Sequence, residues 1–261
     1  MNRLPHNQAM SSTDSATSQN IQSLCARGQE QLLQTEYLAA ERTLMQADAA
    51  ATAAEDWDAL ARLYMPLQEA RRQRRQWCGD GAFVTHTLQG PTNQPLNAAK
   101  IAEEFPRGQI IAAGHATIEP ALALRKIAAD RQLYLDVPLA ATYRIGNGIA
   151  VLFVPTPDVA LPQGDVETID ELLQQSPPHS VLLPAPHLPR TQERGDARTF
   201  DFVMDLWESL HRPFLAMAQA TTNPRQRLAA FRRTIEVDYA CELAHQQFSE
   251  TCHELARHGR R

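Results

Sequence analysis

A chain of 261 residues is long enough to bury one large core or two ordinary ones. With 43% hydrophobic and 21% charged residues it falls in the globular range, which excludes wholesale disorder. The formal net charge of −5 argues against a protein that coats nucleic acid electrostatically, although a local basic patch stays compatible with it.

Residues 1–20, "MNRLPHNQAMSSTDSATSQN", are rich in Ser, Thr, Asn and Gln and have no apolar core. They fit neither a signal peptide nor a membrane span and read as a disordered lead-in. The four cysteines, Cys25, Cys78, Cys241 and Cys252, form no C-x-x-C. On one helix Cys241 and Cys252 would stand roughly 16 Å apart along the axis, too far to bridge. A reduced, cytoplasmic protein is expected.

Residues 21–78 follow a helical period with a break near Thr35. Gly28, Ala40, Leu44 and Ala47 carry small and large side chains at helical spacing, and Trp57-x-x-Leu60-Ala61-x-x-Tyr64 follows. This pattern resembles the tetratricopeptide repeat, whose W-x-x-L-G-x-x-Y signature it matches with Ala for Gly. Trp57 lies 33 residues after Leu24, close to that family's repeat length. The resemblance implies antiparallel helices brought close by small residues, with Trp57, Leu60 and Tyr64 filling the groove between hairpins. Arg27 and Gln31 depart from the first copy's Leu and Tyr, and Pro66 should kink or split the helix that begins at Trp57. Family members that clamp a peptide carboxylate use Lys and Asn on the concave face; this segment has no Lys, so that role carries over to none of its residues.

The same helix starts with acids and carries Arg71, Arg72, Arg74 and Arg75 toward its end. Acids in a first turn and bases in a last turn complement the macrodipole, so the arginines read as a solvated helix end. The functional alternative is that these four form a contact for phosphate or an acidic partner protein.

Residues 79–190 change period. "AFVTHTL", "GQIIAAG" and "LYLDV" read as strands separated by the helices "NAAKIAEEF" and "TIEPALALRKIAADR". That alternation predicts crossover units and a mostly parallel or mixed sheet of four to six strands. Gly146-Asn147-Gly148 signals a hairpin, Thr168 and Glu171 a capping box before "IDELLQQ", and "SVLLP" a last strand. Residues 196–258 are helical again, with Asn223-Pro224 as a helix start and "RLAAFRRTIEVD" weakly resembling a repeat's second helix. In that register His245 and Phe248 hold the Trp and Leu positions of the next helix, with Thr234 and Ser249 at small-residue positions. The expected fold class is therefore α/β with all-α arms: a small sheet flanked by N- and C-terminal helical hairpins, the C-terminal one packing with the rest.

Two constellations bear on chemistry. Glu208-x-x-His211, Glu242-x-x-His245 and Glu250-x-x-His253 have the spacing that di-iron carboxylate bundles use. If the last helices pair around residue 222, Glu242 lies about 13 Å too far along to meet Glu208 and His211, and Glu242 and Glu250 are rotated by about 80°. No metal ligand or cofactor is assigned. The second constellation is the carboxyl edge of the parallel strands, where open sheets place ligands. His86 ends the first strand region, His115 follows the second and Asp136 ends the third, while Thr117 should cap the next helix. No glycine-rich nucleotide motif and no nucleophile elbow accompany them.

The reading that follows is a cytoplasmic protein–protein interaction or assembly protein with a protein partner or self-association, no nucleic acid and no membrane. Its alternative is an α/β domain binding a small anionic ligand, possible substrate included, near His86, His115, Thr117 and Asp136.

Overall fold

In the computed structural model, helices and strands change over where the sequence changes period. The structure describes residues 8–88, 90, 94–163 and 166–259. Among them the helices are α1 (Gln8–Leu33), α2 (Tyr37–Ala53), α3 (Trp57–Gly79), α4 (Ala98–Glu104), α5 (Glu119–Arg131), α6 (Ile169–Gln175), α7 (Ala197–Ala220), α8 (Pro224–Val237) and α9 (Glu242–Gly259). The strands are β1 (Ala82–Thr87), β2 (Arg107–His115), β3 (Tyr134–Asp136), β4 (Leu139–Ile145), β5 (Gly148–Val154) and β6 (Val181–Pro184), with a 3-10 turn at Ala185–His187. The α/β class and the helices at both ends are as expected. Of the segment expected as a lead-in, residues 1–7 lie outside the described residues and α1 begins at Gln8.

The chain divides into two units. The helical one takes Met1–Gln73, Met217–Arg232 and Ala240–Arg261; the sheet-bearing one takes Arg74–Ala216 and Arg233–Tyr239. Both units are discontinuous along the chain.

Within the helical unit, α1 and α2 end alike. Thr35 and Glu55 sit at φ 61° and 50°, and the next residue's N–H reaches back five residues, Glu36 to the Gln31 carbonyl and Asp56 to that of Ala51, both at 2.9 Å. This is the Schellman closure, repeated at two successive turns with no glycine at the left-handed position. Short turns of one geometry make α1, α2 and α3 successive antiparallel neighbours. A Cβ on Gly28 would stand 2.6 Å from Leu44 Cγ, so only glycine permits this approach of α1 to α2. Ala40, Leu44, Ala47, Leu60, Ala61 and Tyr64 are buried. Trp57 is half-buried, lying 5.4 Å beneath the Arg225 guanidinium. Pro66 stands inside an unbroken α3. The C-terminal helices join this unit: Phe248 stacks on Tyr64 with ring centroids 3.8 Å apart, Ser249 Oγ donates to the Ala61 carbonyl at 2.6 Å, and Arg232 pairs with Asp48 at 3.0 Å.

In the sheet-bearing unit the strand order is β1-β2-β4-β5-β6, with β3 also on β2. β1, β3 and β4 run parallel to β2, whereas the β4–β5 and β5–β6 pairs are antiparallel. The Gly146-Asn147 loop joins β4 to β5, with Gly146 at φ +55°. Alternation along each strand sends one set of residues to each face. Val84, Ile110, Ala112 and Leu152 pack with α4, α5 and Leu172 of α6. Phe83, Ile111, Ala113, Val151 and Phe153 pack with Val203, Leu206, Trp207 and Leu210 of α7. Helices thus cover both faces, and the apolar stripe of α7 explains why residues up to Ala216 belong here.

Arg107 pairs with Tyr134 and His115 with Thr142, and each pair differs by 27 positions. β3 and β4 therefore form one strand in a single register against β2, interrupted at Val137-Pro138. Proline has no N–H to give the ladder, which accounts for the gap. At α6, Thr168 Oγ1 accepts from the Glu171 N–H at 3.1 Å, while the Glu171 carboxylate accepts from Glu167 rather than from Thr168.

Candidate functional site

The arginine segment is not a solvated helix end. α3 continues to Gly79, and its inward stripe runs Leu60, Leu63-Tyr64, Leu67, Ala70-Arg71, Arg75 and Cys78, every one buried. Arg71 and Arg75 are four residues apart and continue that stripe. Arg72, rotated away, is exposed and pairs with Glu69 at 2.8 Å.

In the helical unit, Arg71 Nε donates to Glu41 at 3.0 Å, and its Nη1 lies 3.1 Å from His245 Nε2. His245 Nδ1 is 2.8 Å from the Cys241 carbonyl, which only accepts. The imidazole is therefore the Nδ1–H tautomer and accepts a hydrogen bond from Arg71 at Nε2.

In the sheet-bearing unit, Arg75 Nη2 donates to Asp238 at 2.6 Å and its Nε stands 3.4 Å from Asp136. Its guanidinium lies 4.7 Å over Tyr239 and 5.3 Å over Trp207. Trp207 Nε1 donates to Asp136 at 3.2 Å, and His211 Nδ1 is 2.7 Å from Asp238. Burial alone would raise the Asp238 pKa, but the charge of Arg75 and the hydrogen bonds from His211 and Arg75 hold it well below the usual carboxylate range. Arg74 reaches the Leu135 carbonyl at 3.4 Å and covers the other approach to Tyr239 at 4.5 Å. Arg125 donates to the Val137 carbonyl at 2.7 Å; burial pulls its pKa down to about 10 despite Asp136. All four arginines expected to meet a partner thus have partners inside their own unit.

The sheet-edge residues do not converge. Because β3 runs on into β4, Asp136 is mid-strand, level with Gln109. His115 is six positions farther along β2, roughly 20 Å. His86 is level with Ala112, and its ring lies 6.5 Å from that of Phe105. Thr117 Oγ1 accepts from the Glu119 N–H at 3.2 Å, although Ile118 holds the capping position. Glu119 puts a carboxylate in the first turn of α5, where an anion would have to sit.

The E-x-x-H pairs are likewise separated. Glu208 binds Arg212 at 2.7 Å while His211 turns to Asp238, and His245 serves Arg71. Glu250 and His253 both line open space. A cleft of about 520 Å³ is bounded by Asp58, Glu250, His253, Ala256 and Arg257. A second, of about 590 Å³, shares Glu250 and Arg257 and adds Gln219, Arg227, Phe231, Gln247, Thr251 and Glu254. α9 therefore presents a charged ridge with an open cleft on either side. Arg227 bonds both Thr251, at 3.2 Å, and Glu254 across the second cleft.

Sequence reasoning missed Asp238, Trp207 and Tyr239 as partners of the arginines, and His211 as the second partner of Asp238. The signal available was the helical stripe, since a residue four positions after a buried one inherits its direction whatever its charge. In comparisons with known proteins, the chain matches no family profile, no curated protein and no solved structure.

Proposed function

We propose that this chain is a protein–protein interaction or assembly protein of the cytoplasm whose helical unit acts as a tetratricopeptide-like scaffold and whose α9 ridge receives the partner. The observation that carries the reading is the pair of open, charged clefts of about 520 and 590 Å³ meeting at Glu250 and Arg257. The repeated Schellman turns and the Gly28–Leu44 approach support the scaffold part, because stacked helical hairpins expose a groove for partner chains. The sheet edge supports a ligand pocket less well, since His86, His115 and Asp136 stand at three different levels of the strands.

The test is charge reversal on the ridge, Glu250→Arg together with Arg257→Glu. Sedimentation velocity would read self-association and affinity capture would read a partner, with unfolding midpoints recorded alongside. Loss of an assembly that the wild type forms, at an unchanged midpoint, is expected. Retention of every assembly by the reversed variant would overturn the assignment to this ridge.

A further inference from the structure

The sheet face that packs on α7 is apolar at Phe83, Ile111 and Ala113, yet its row closest to Arg75 contains Gln109. Gln109 is 1% exposed, and neither its Nε2 nor its Oε1 has a hydrogen-bond partner among the described residues. By strand alternation it points to the same face as Ile111 and Ala113. Its register neighbour Asp136, also 1% exposed, bonds Trp207 on that face through Oδ2, and its Oδ1 is unpartnered. Arg75 Nε approaches Asp136 without hydrogen-bond geometry, and the hydroxyl of Tyr239, whose ring lies beneath that guanidinium, is buried and has no partner among the described residues. Five polar atoms on four adjoining residues are thus out of water and without a hydrogen-bond partner among the described residues. Such groups are costly unless something small completes them.

The chemistry of the five atoms selects what that is. Arg75 Nε and Gln109 Nε2 donate, Asp136 Oδ1 and Gln109 Oε1 accept, and the Tyr239 hydroxyl does either. An anion would be driven off by Asp136 and a metal cation by Arg75. A neutral molecule with both donors and acceptors fits, and water is the smallest that meets several buried groups at once.

We propose that Gln109, Asp136, Tyr239 and Arg75 enclose an internal hydration site, in which ordered water bridges the sheet to the Arg75–Asp136 ion pair. Gln109 sets a polar amide beside Asp136 on a face that is apolar at Phe83, Ile111 and Ala113. Asp136 thereby meets Trp207, Arg75 and water together.

Two measurements decide it. A crystal structure of the whole chain, at a resolution that shows ordered solvent, should place water within hydrogen-bond distance of Gln109 and of Asp136 or Tyr239. Gln109→Met and Tyr239→Phe should each lower the unfolding midpoint by roughly 3–8 °C, and the double variant by less than the sum, because one bridge is lost either way. A dry site, with the Gln109 amide bonded directly to Asp136 or Tyr239, would overturn the proposal. So would variants whose midpoints stay level or rise. Should Gln109→Met not fold, Tyr239→Phe, which deletes one oxygen, still decides by its midpoint.

Discussion

Arg75 and Asp238 meet at 2.6 Å with side chains that are 4% and 2% exposed, and the same carboxylate also binds His211. A pair this buried holds its place mainly because either partner alone would be an uncompensated charge. Arg75→Met or Asp238→Asn is therefore expected to cost about 3–5 kcal/mol in urea unfolding. Arg75→Met with Asp238→Leu should cost less than the two single losses added. Arg72→Ala, at the exposed neighbour, should stay within about 0.5 kcal/mol of wild type.

The pH dependence follows from two groups with opposite windows. Asp238 has a folded pKa below its unfolded one, so its contribution is present above the unfolded value of about 3.9 and is lost as pH falls further. Acid titration of stability should steepen there, and Asp238→Asn should flatten that limb. Burial pushes the Cys252 thiol from 9.0 up to about 12, so the folded state keeps a proton that the unfolded state releases. Stability should decline as pH rises above about 9, and Cys252→Ala should remove that part of the decline.

The twin helix turns give a stabilising and a destabilising substitution in one unit. Thr35 holds φ 61° with a β-branched side chain, so Thr35→Gly should raise stability by about 1 kcal/mol. Gly28→Ala puts a methyl 2.6 Å from Leu44 Cγ and should cost about 1–3 kcal/mol, relieved in part when combined with Leu44→Ala. Urea unfolding of the three variants reads both.

At the carboxyl edge of the sheet, inorganic phosphate should leave the unfolding midpoint where it is, and His115→Ala should respond identically. The reason is Glu119, which occupies the first turn of α5. A phosphate-dependent rise that His115→Ala abolishes would restore the anionic-ligand reading.

Local pattern made much of this legible from residues alone. The hairpin at Gly146-Asn147, the caps at Thr168 and Asn223, and the small-residue approach at Gly28 depend on neighbours a few positions away, and each is where its spacing placed it. Two things were hidden by a locally true signal with a different cause. "LYLDV" before Pro138 has the outline of a finished strand, but the strand resumes at Leu139 in the same register, which removes Asp136 from the sheet edge. The arginines of α3 have the outline of a polar helix end, but the partners that draw Arg75 inward, Asp136 and Asp238, lie 61 and 163 residues away. No window on the sequence spans such distances. The ridge of α9 was partly visible as E-x-x-H spacing, which sets Glu250 and His253 on one face of the helix.

The interruption at Pro138 has a mechanical consequence. β4 is zipped to β5 by seven residue pairs, whereas β3 holds β2 by only three. Amide exchange should therefore open the strand from its first half while the hairpin stays shut. Asp136, at the end of that thinly laddered half, is moored by indole and guanidinium in addition to its place in the ladder. Side-chain chemistry there serves as the stitch that the ladder omits.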